Sequence, residues 1–273
     1  MSKSHSAFRD YLKRLRYFPR IIPPFELRRS GKDIETYIET GNLQANIVRK
    51  YGSANPGSHI LDIGCGDGRF ASALASFLKK GSYTTFEVNK SFVDYLKSHV
   101  KKKNFQFLHR DIYHAYYNPK GQIKAENFVF PFQNESFDIV FLNSIFTHFR
   151  PKEIENYLLE IHRVLKDEAL VLSTYFIANN QSLKLDRQGL SSKELRMGKK
   201  YLLNYEYRNY WSRDKIIKER IIAVKESWLK NVYKKSGLTI EKIVWGYWCG
   251  REKTEETVHE QDLVIARKTK RFS

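Results

Sequence analysis

Leu61-Asp62-Ile63-Gly64-Cys65-Gly66-Asp67-Gly68-Arg69-Phe70 is the stretch that decides the fold of this chain. Residues 60–63 read as a short apolar strand. Phe70, Ala73, Leu74, Phe77 and Leu78 then recur at helical spacing, and Lys79, Lys80 and Gly81 close that helix. Alternating glycines between a strand and a helix let a ligand approach the backbone closely. The rhythm continues beyond the turn, with strands predicted at residues 83–88, 105–108, 137–142 and 169–176. Between them, Ser91 is read as the cap of a helix carrying Phe92, Tyr95, Leu96 and His99, with Asp94 at the capping-box position. Pro151 opens another helix, with Ile154, Tyr157, Leu158, Ile161 and Leu165 on one face. Strands alternating with helices predict an α/β, Rossmann-like, doubly wound and mostly parallel seven-stranded sheet. Residues 238–245 and 262–266, joined by a short link, supply an antiparallel last strand.

Around this core, helices at 5–18 and 33–51 form an N-terminal helical cap over 1–57, ahead of a main domain at 58–273. Residues 178–225 are polar and tyrosine-rich and break the rhythm, which marks them as a helical or loop lid. On the first helix Phe8, Tyr11, Leu12, Leu15 and Phe18 share a face, Arg9, Lys13, Arg14 and Arg16 mostly fall elsewhere, and Pro19 and Pro23-Pro24 stop it. Such a helix either packs on the protein's own core or lies on a membrane surface. The 48 Lys and Arg against 30 Asp and Glu give a net charge of +18, which favours anionic partners without choosing among nucleic acid, membrane and substrate. No apolar run of about 18 residues is present. The two cysteines, Cys65 and Cys249, fit neither a zinc motif nor a disulfide framework, and no metal is expected. The expected location is cytoplasmic, with peripheral contact at the inner membrane face through the basic helix.

Glu87 lies 19 residues past Gly68 (87 − 68), where an acid accepts the hydroxyls of an adenosine ribose. The glycine spacing departs from that of dinucleotide-binding turns, and Asp62 and Asp67 flank it. Carboxylates there oppose a pyrophosphate but suit a ligand carrying a sulfonium and an ammonium. With these motifs in order, the chain resembles the class I S-adenosylmethionine-dependent methyltransferases over residues 58–176, including the standalone bacterial type that acts on small molecules and glycans. The resemblance implies S-adenosylmethionine as cofactor, S-adenosylhomocysteine as product, and a cofactor site of Asp62, Gly64, Cys65, Gly66, Glu87, Val88, Asp111, Ile112, Asn143 and Ser144. Asp167-Glu168-Ala169 stands where that family usually has a glycine pair.

Methyl transfer is mainly positioning, and a hydroxyl acceptor also has to lose a proton. His148, just past the fourth strand, is the candidate base, with helix capping as the alternative. Tyr210, Trp211, Trp248 and Arg251 are the candidate substrate residues; for Trp248 and Arg251 a tight strand connection is the competing reading. The function expected is O-methylation of a saccharide or other small molecule. An RNA methyltransferase, a non-catalytic binding or scaffold protein and a nicotinamide enzyme stand as alternatives.

Overall fold

The computed structural model describes residues 3–17, 20–28 and 33–269, with side chains from Phe8 onward. Phe18 and Pro19 of the first predicted helix lie outside them. The chain divides into two compact units, residues 1–110 and 111–273. Both sides of the expected 57/58 boundary lie in the first of these units.

In the first unit, α1 (Lys3–Leu15) precedes α2 (Ile34–Tyr51). α2 starts where Asp33 accepts the Thr36 backbone N–H. It packs on α3 (Arg69–Leu74), so closely that a Cβ at Gly41 would stand 2.5 Å from the Arg69 carbonyl oxygen. β1 (His59–Ile63), β2 (Ser82–Glu87) and β3 (Phe105–His109) pair in parallel in the order β3-β2-β1. α4 (Lys90–His99) is capped by Asn89, whose side chain accepts the N–H groups of Ser91 and Phe92. Asn89, not Ser91, is therefore the cap.

In the second unit, β4 (Ile112–Tyr113) and β5 (Ile123–Lys124) form a small parallel pair. β6 (Phe137–Leu142) runs parallel to β7 (Leu165–Ala178), with α5 (Pro151–Val164) between them in sequence. β7 is longer than predicted, and its overhang organises the next fifty residues of chain. The chain continues through α6 (Asn180–Arg187) and α7 (Lys193–Arg196) to β8 (Tyr205–Glu206), β9 (Tyr210–Ser212) and β10 (Ile222–Lys225). β10 pairs in parallel with Phe176, Ile177 and Ala178 at the tip of β7, and β9 and β8 add antiparallel strands beyond it. The lid segment, read as having no clear strand, thus extends the sheet. α8 (Glu226–Lys235) leads to β11 (Leu238–Val244), which pairs antiparallel with β12 (Asp262–Lys268), itself antiparallel to β7. That is the predicted antiparallel ending. Among the described residues no helix is long and apolar enough to cross a membrane.

Candidate active site

The glycine turn joins β1 to α3 in the first unit. Gly66 and Gly68 take φ of +54° and +85°, values that exact little cost only from glycine. At Gly68 a Cβ would lie 2.3 Å from the buried Leu96 side chain, so this glycine lets the turn close on α4. At Gly66 a Cβ would meet nothing within 4 Å: here the backbone faces open space. Glu87, at the end of β2, ties the turn down, its two oxygens accepting the Gly66 N–H at 2.9 Å and the Asn89 N–H at 2.8 Å. Each oxygen keeps a second lone pair for a ligand hydroxyl. Burial raises the Glu87 pKa against the lowering effect of those N–H groups. The Val88 carbonyl accepts from His109 Nε2 at 3.1 Å. Gly64 donates its N–H to the Phe86 carbonyl, and Cys65 is a buried thiol whose pKa burial drives up, an inert packing residue.

Both acids expected to face a cationic ligand are already engaged. Asp62 is 3% exposed and accepts the Tyr83 hydroxyl; desolvation lifts its pKa to about 7. Asp67 is buried, and Arg69, two residues on, holds both its oxygens at 3.1 and 3.2 Å. The charge offered to a ligand by this turn is therefore smaller than the two carboxylates suggest.

In the second unit, Asp111 accepts from the Asn118 side chain at 3.0 Å and the Gln122 N–H at 3.3 Å, while Ile112 is buried in β4. Asn143 and Ser144 follow β6. Ser144 holds φ +60°, strained for a residue with a Cβ. Its N–H donates to Thr174 Oγ1 at 2.7 Å and its hydroxyl accepts from Gln261 Nε2 at 2.9 Å. Asn143 Oδ1 and Gln261 Oε1 are buried and have no hydrogen-bond partner among the described residues. Thr174, inside β7, carries no signal in the sequence that marks it for this contact.

His148 is enclosed. Its Nδ1 donates to the Glu219 carbonyl at 2.9 Å, so Nε2 carries the lone pair and accepts the Tyr117 hydroxyl at 3.1 Å. Burial pushes its pKa down to about 4. His114 supports it from below: its Nδ1 accepts the N–H groups of Tyr116 and Tyr117, and Nε2 donates to the His148 carbonyl at 3.2 Å. His148 is thus not a free base. Its Nε2 is linked to Tyr117, whose side chain is half exposed.

Trp248 is not a ligand wall. It is wholly buried against Phe176, Leu202 and Leu203, and its Nε1 donates to Asp262 Oδ2 at 2.7 Å. Arg251 donates to the Gly246 carbonyl and to Asp262 Oδ1, keeping only Nη2 without a partner among the described residues. The tight strand connection is the correct reading of this pair. Tyr210 stacks on Tyr207 with ring centroids 4.6 Å apart. Trp211 lines a cavity of about 680 Å³ at the ends of β7 and β10, and the Arg187 guanidinium lies over both Trp211 and Tyr201. Arg213 is buried and paired with Asp214, so its role is structural.

Residues 61–173, which contain both the turn and the Asn143–Ser144 rim, match the family described as a methyltransferase domain. The match takes in less than half of the 273-residue chain. Over 110 residues the chain is 32% identical to a phthiotriol/phenolphthiotriol dimycocerosates methyltransferase of Mycobacterium tuberculosis. That match covers 40% of this chain and 34% of the relative, about a third of its length. A protein from Pyrococcus horikoshii superposes with TM-score 0.55 at 15% identity, over 87% of this chain and 93% of its own. The cyclase SpnF superposes with TM-score 0.52 at 14% identity, over 89% and 85%. That one of these neighbours is a [4+2]-cyclase shows that the fold alone does not fix the chemistry.

Proposed function

We propose that this protein transfers a methyl group from S-adenosylmethionine to a hydroxyl of a saccharide or other small molecule. The observation that carries the acceptor class is the pair of buried, unpartnered carbonyl oxygens, Asn143 Oδ1 and Gln261 Oε1, beside the strained Ser144. A buried acceptor without a donor costs about 1–3 kcal/mol, and a hydroxylated ligand relieves that cost. The first unit fits the cofactor: Gly66 leaves room against the backbone, and Glu87 retains acceptor capacity for ribose hydroxyls. When bound, the cofactor supplies an electrophilic methyl on a sulfonium. Tyr117 and His148 then provide a proton path, Tyr117 passing its proton to His148 Nε2 as it takes one from the acceptor hydroxyl.

The test is transfer of labelled methyl to a panel of saccharides, hydroxylated small molecules and RNA, alongside calorimetric binding of S-adenosylhomocysteine. Hydroxyl acceptors are expected to gain label, and Tyr117→Phe to lower kcat by about 100-fold with S-adenosylhomocysteine affinity unchanged. Label on RNA alone refutes the acceptor class. Tight S-adenosylhomocysteine binding with no labelled product refutes the activity and favours a non-catalytic use of the fold.

A further inference from the structure

The first helix is turned the wrong way round for a cap. Among the described side chains of α1, Asp10 and Arg14 are the partly buried ones, and both are polar. Asp10 pairs with Arg14 at 3.1 Å and with the buried Arg28, Arg14 Nη1 donates to the Ile22 carbonyl, and just past the helix the Tyr17 hydroxyl donates to Glu35 at 3.0 Å. The apolar cluster beneath consists of Ile22, Ile34 and Tyr37 with Tyr17 and Ile38 against it, and nothing from the apolar stripe of α1 joins it. That stripe, Phe8, Tyr11, Leu12 and Leu15, recurs at i, i+3, i+4 and i+7 and is 62%, 49%, 46% and 50% exposed. Packing on the protein's own core, one of the two outcomes the sequence allows, is not what happens.

We infer that α1 is an interfacial helix that seats this protein on an anionic lipid surface. At about 100° per residue, Phe8, Leu12 and Leu15 cluster within a narrow arc, with Tyr11 at its edge. Arg9, Lys13 and Arg16, all exposed, lie on one flank of that arc, and the Asp10–Arg14 pair on the far side holds the helix to the protein. A helix lying in the headgroup plane has this arrangement, with apolar side chains below the interface and long cations level with the phosphates. Charge complementarity selects the occupant: the flank is cationic without an acid among its exposed side chains, and the whole chain carries +18. Two weak signals acting together, apolar insertion and a basic flank, suit reversible attachment. The inference does not rest on the methyltransferase reading.

The experiment is co-sedimentation of the full chain with phosphatidylcholine vesicles, alone and with about a third phosphatidylglycerol, at low and high salt. Binding to the anionic vesicles is expected, weakened by salt. Leu12→Asp with Leu15→Asp should weaken it by at least about ten-fold, because each apolar contact is lost. Arg9→Glu, Lys13→Glu and Arg16→Glu should each weaken it by about five-fold or more. All of these side chains are exposed, so unchanged melting curves and unchanged S-adenosylhomocysteine binding show that the variants are folded. No binding to anionic vesicles at low salt overturns the inference, as does binding that Leu12→Asp with Leu15→Asp leaves intact. A mass by light scattering that halves in that variant assigns the face to a second copy of the chain and overturns it equally. RNA capture by the chain, with vesicles left unbound, overturns it too.

Discussion

Asp62→Asn tests how the glycine turn is supported from beneath. Asp62 is inside the first unit, its carboxyl accepting the Tyr83 hydroxyl. Desolvation lifts its pKa from the ordinary 3.8 to about 7; the Tyr83 hydrogen bond opposes the shift and the Glu87 charge adds to it. Between those two values the folded chain holds a proton that the unfolded chain has released, so stability falls as pH rises. The contribution is fully present below about pH 4 and is lost by the time pH has passed about 7. Each pH unit within that window removes about 1.4 kcal/mol, and the whole window sets an upper bound of about 4 kcal/mol. Asparagine has the shape of the protonated acid, keeps an acceptor for Tyr83 and cannot ionise. The advantage of Asp62→Asn over wild type should therefore grow from about pH 4 to about pH 7 and then level off. The assay is urea unfolding of both proteins, without cofactor, across that range. Asp262, whose pKa burial raises to about 6, titrates in both chains and cancels in the difference. Stability curves that stay parallel would refute the reasoning. So would an Asp62→Asn protein less stable than wild type at pH 8, which would mean that the carboxylate is held ionised by donors.

Three further predictions separate binding from folding. Gly66→Ala adds a methyl that touches no protein atom, at a backbone cost of about 1 kcal/mol, so it should fold and yet weaken S-adenosylhomocysteine binding by about ten-fold. Gly68→Ala drives a methyl into Leu96 and should instead lower the melting temperature, as differential scanning fluorimetry will show. Asp262→Ala strands the Arg251 charge and the Trp248, Ile177 and Gly246 donors in the interior; a loss of about 3–5 kcal/mol in denaturant unfolding is expected, whereas a purely substrate-binding role for Trp248 and Arg251 would leave stability unchanged.

The sequence discloses the parts of this fold whose cause is local. The strand-turn-helix around Gly64–Gly68, the parallel alternation and the antiparallel ending each arise from periodicity and turn chemistry a few residues long. It hides the parts that depend on distant partners. β8, β9 and β10 are two to four residues each in a polar segment, and they are strands because the overhang of β7 at Phe176–Ala178 offers an edge. Trp248 looked like a stacking platform, but Asp262, 14 residues later, supplies a buried acceptor that draws the indole inside. The same blindness governs the acids. Residue type and spacing single out Asp62, Asp67, Glu87 and Asp111 at or beside strand ends, but not whether their charge is already engaged. Arg69 holds Asp67, the Gly66 and Asn89 amides hold Glu87, Asn118 holds Asp111, and burial lifts the Asp62 pKa to about 7. A carboxylate that shapes its loop in this way can bind a ligand only with the lone pairs left over. That favours ligand hydroxyls and amines, which share an oxygen with the protein's own N–H groups, over a free cation that would need the whole charge.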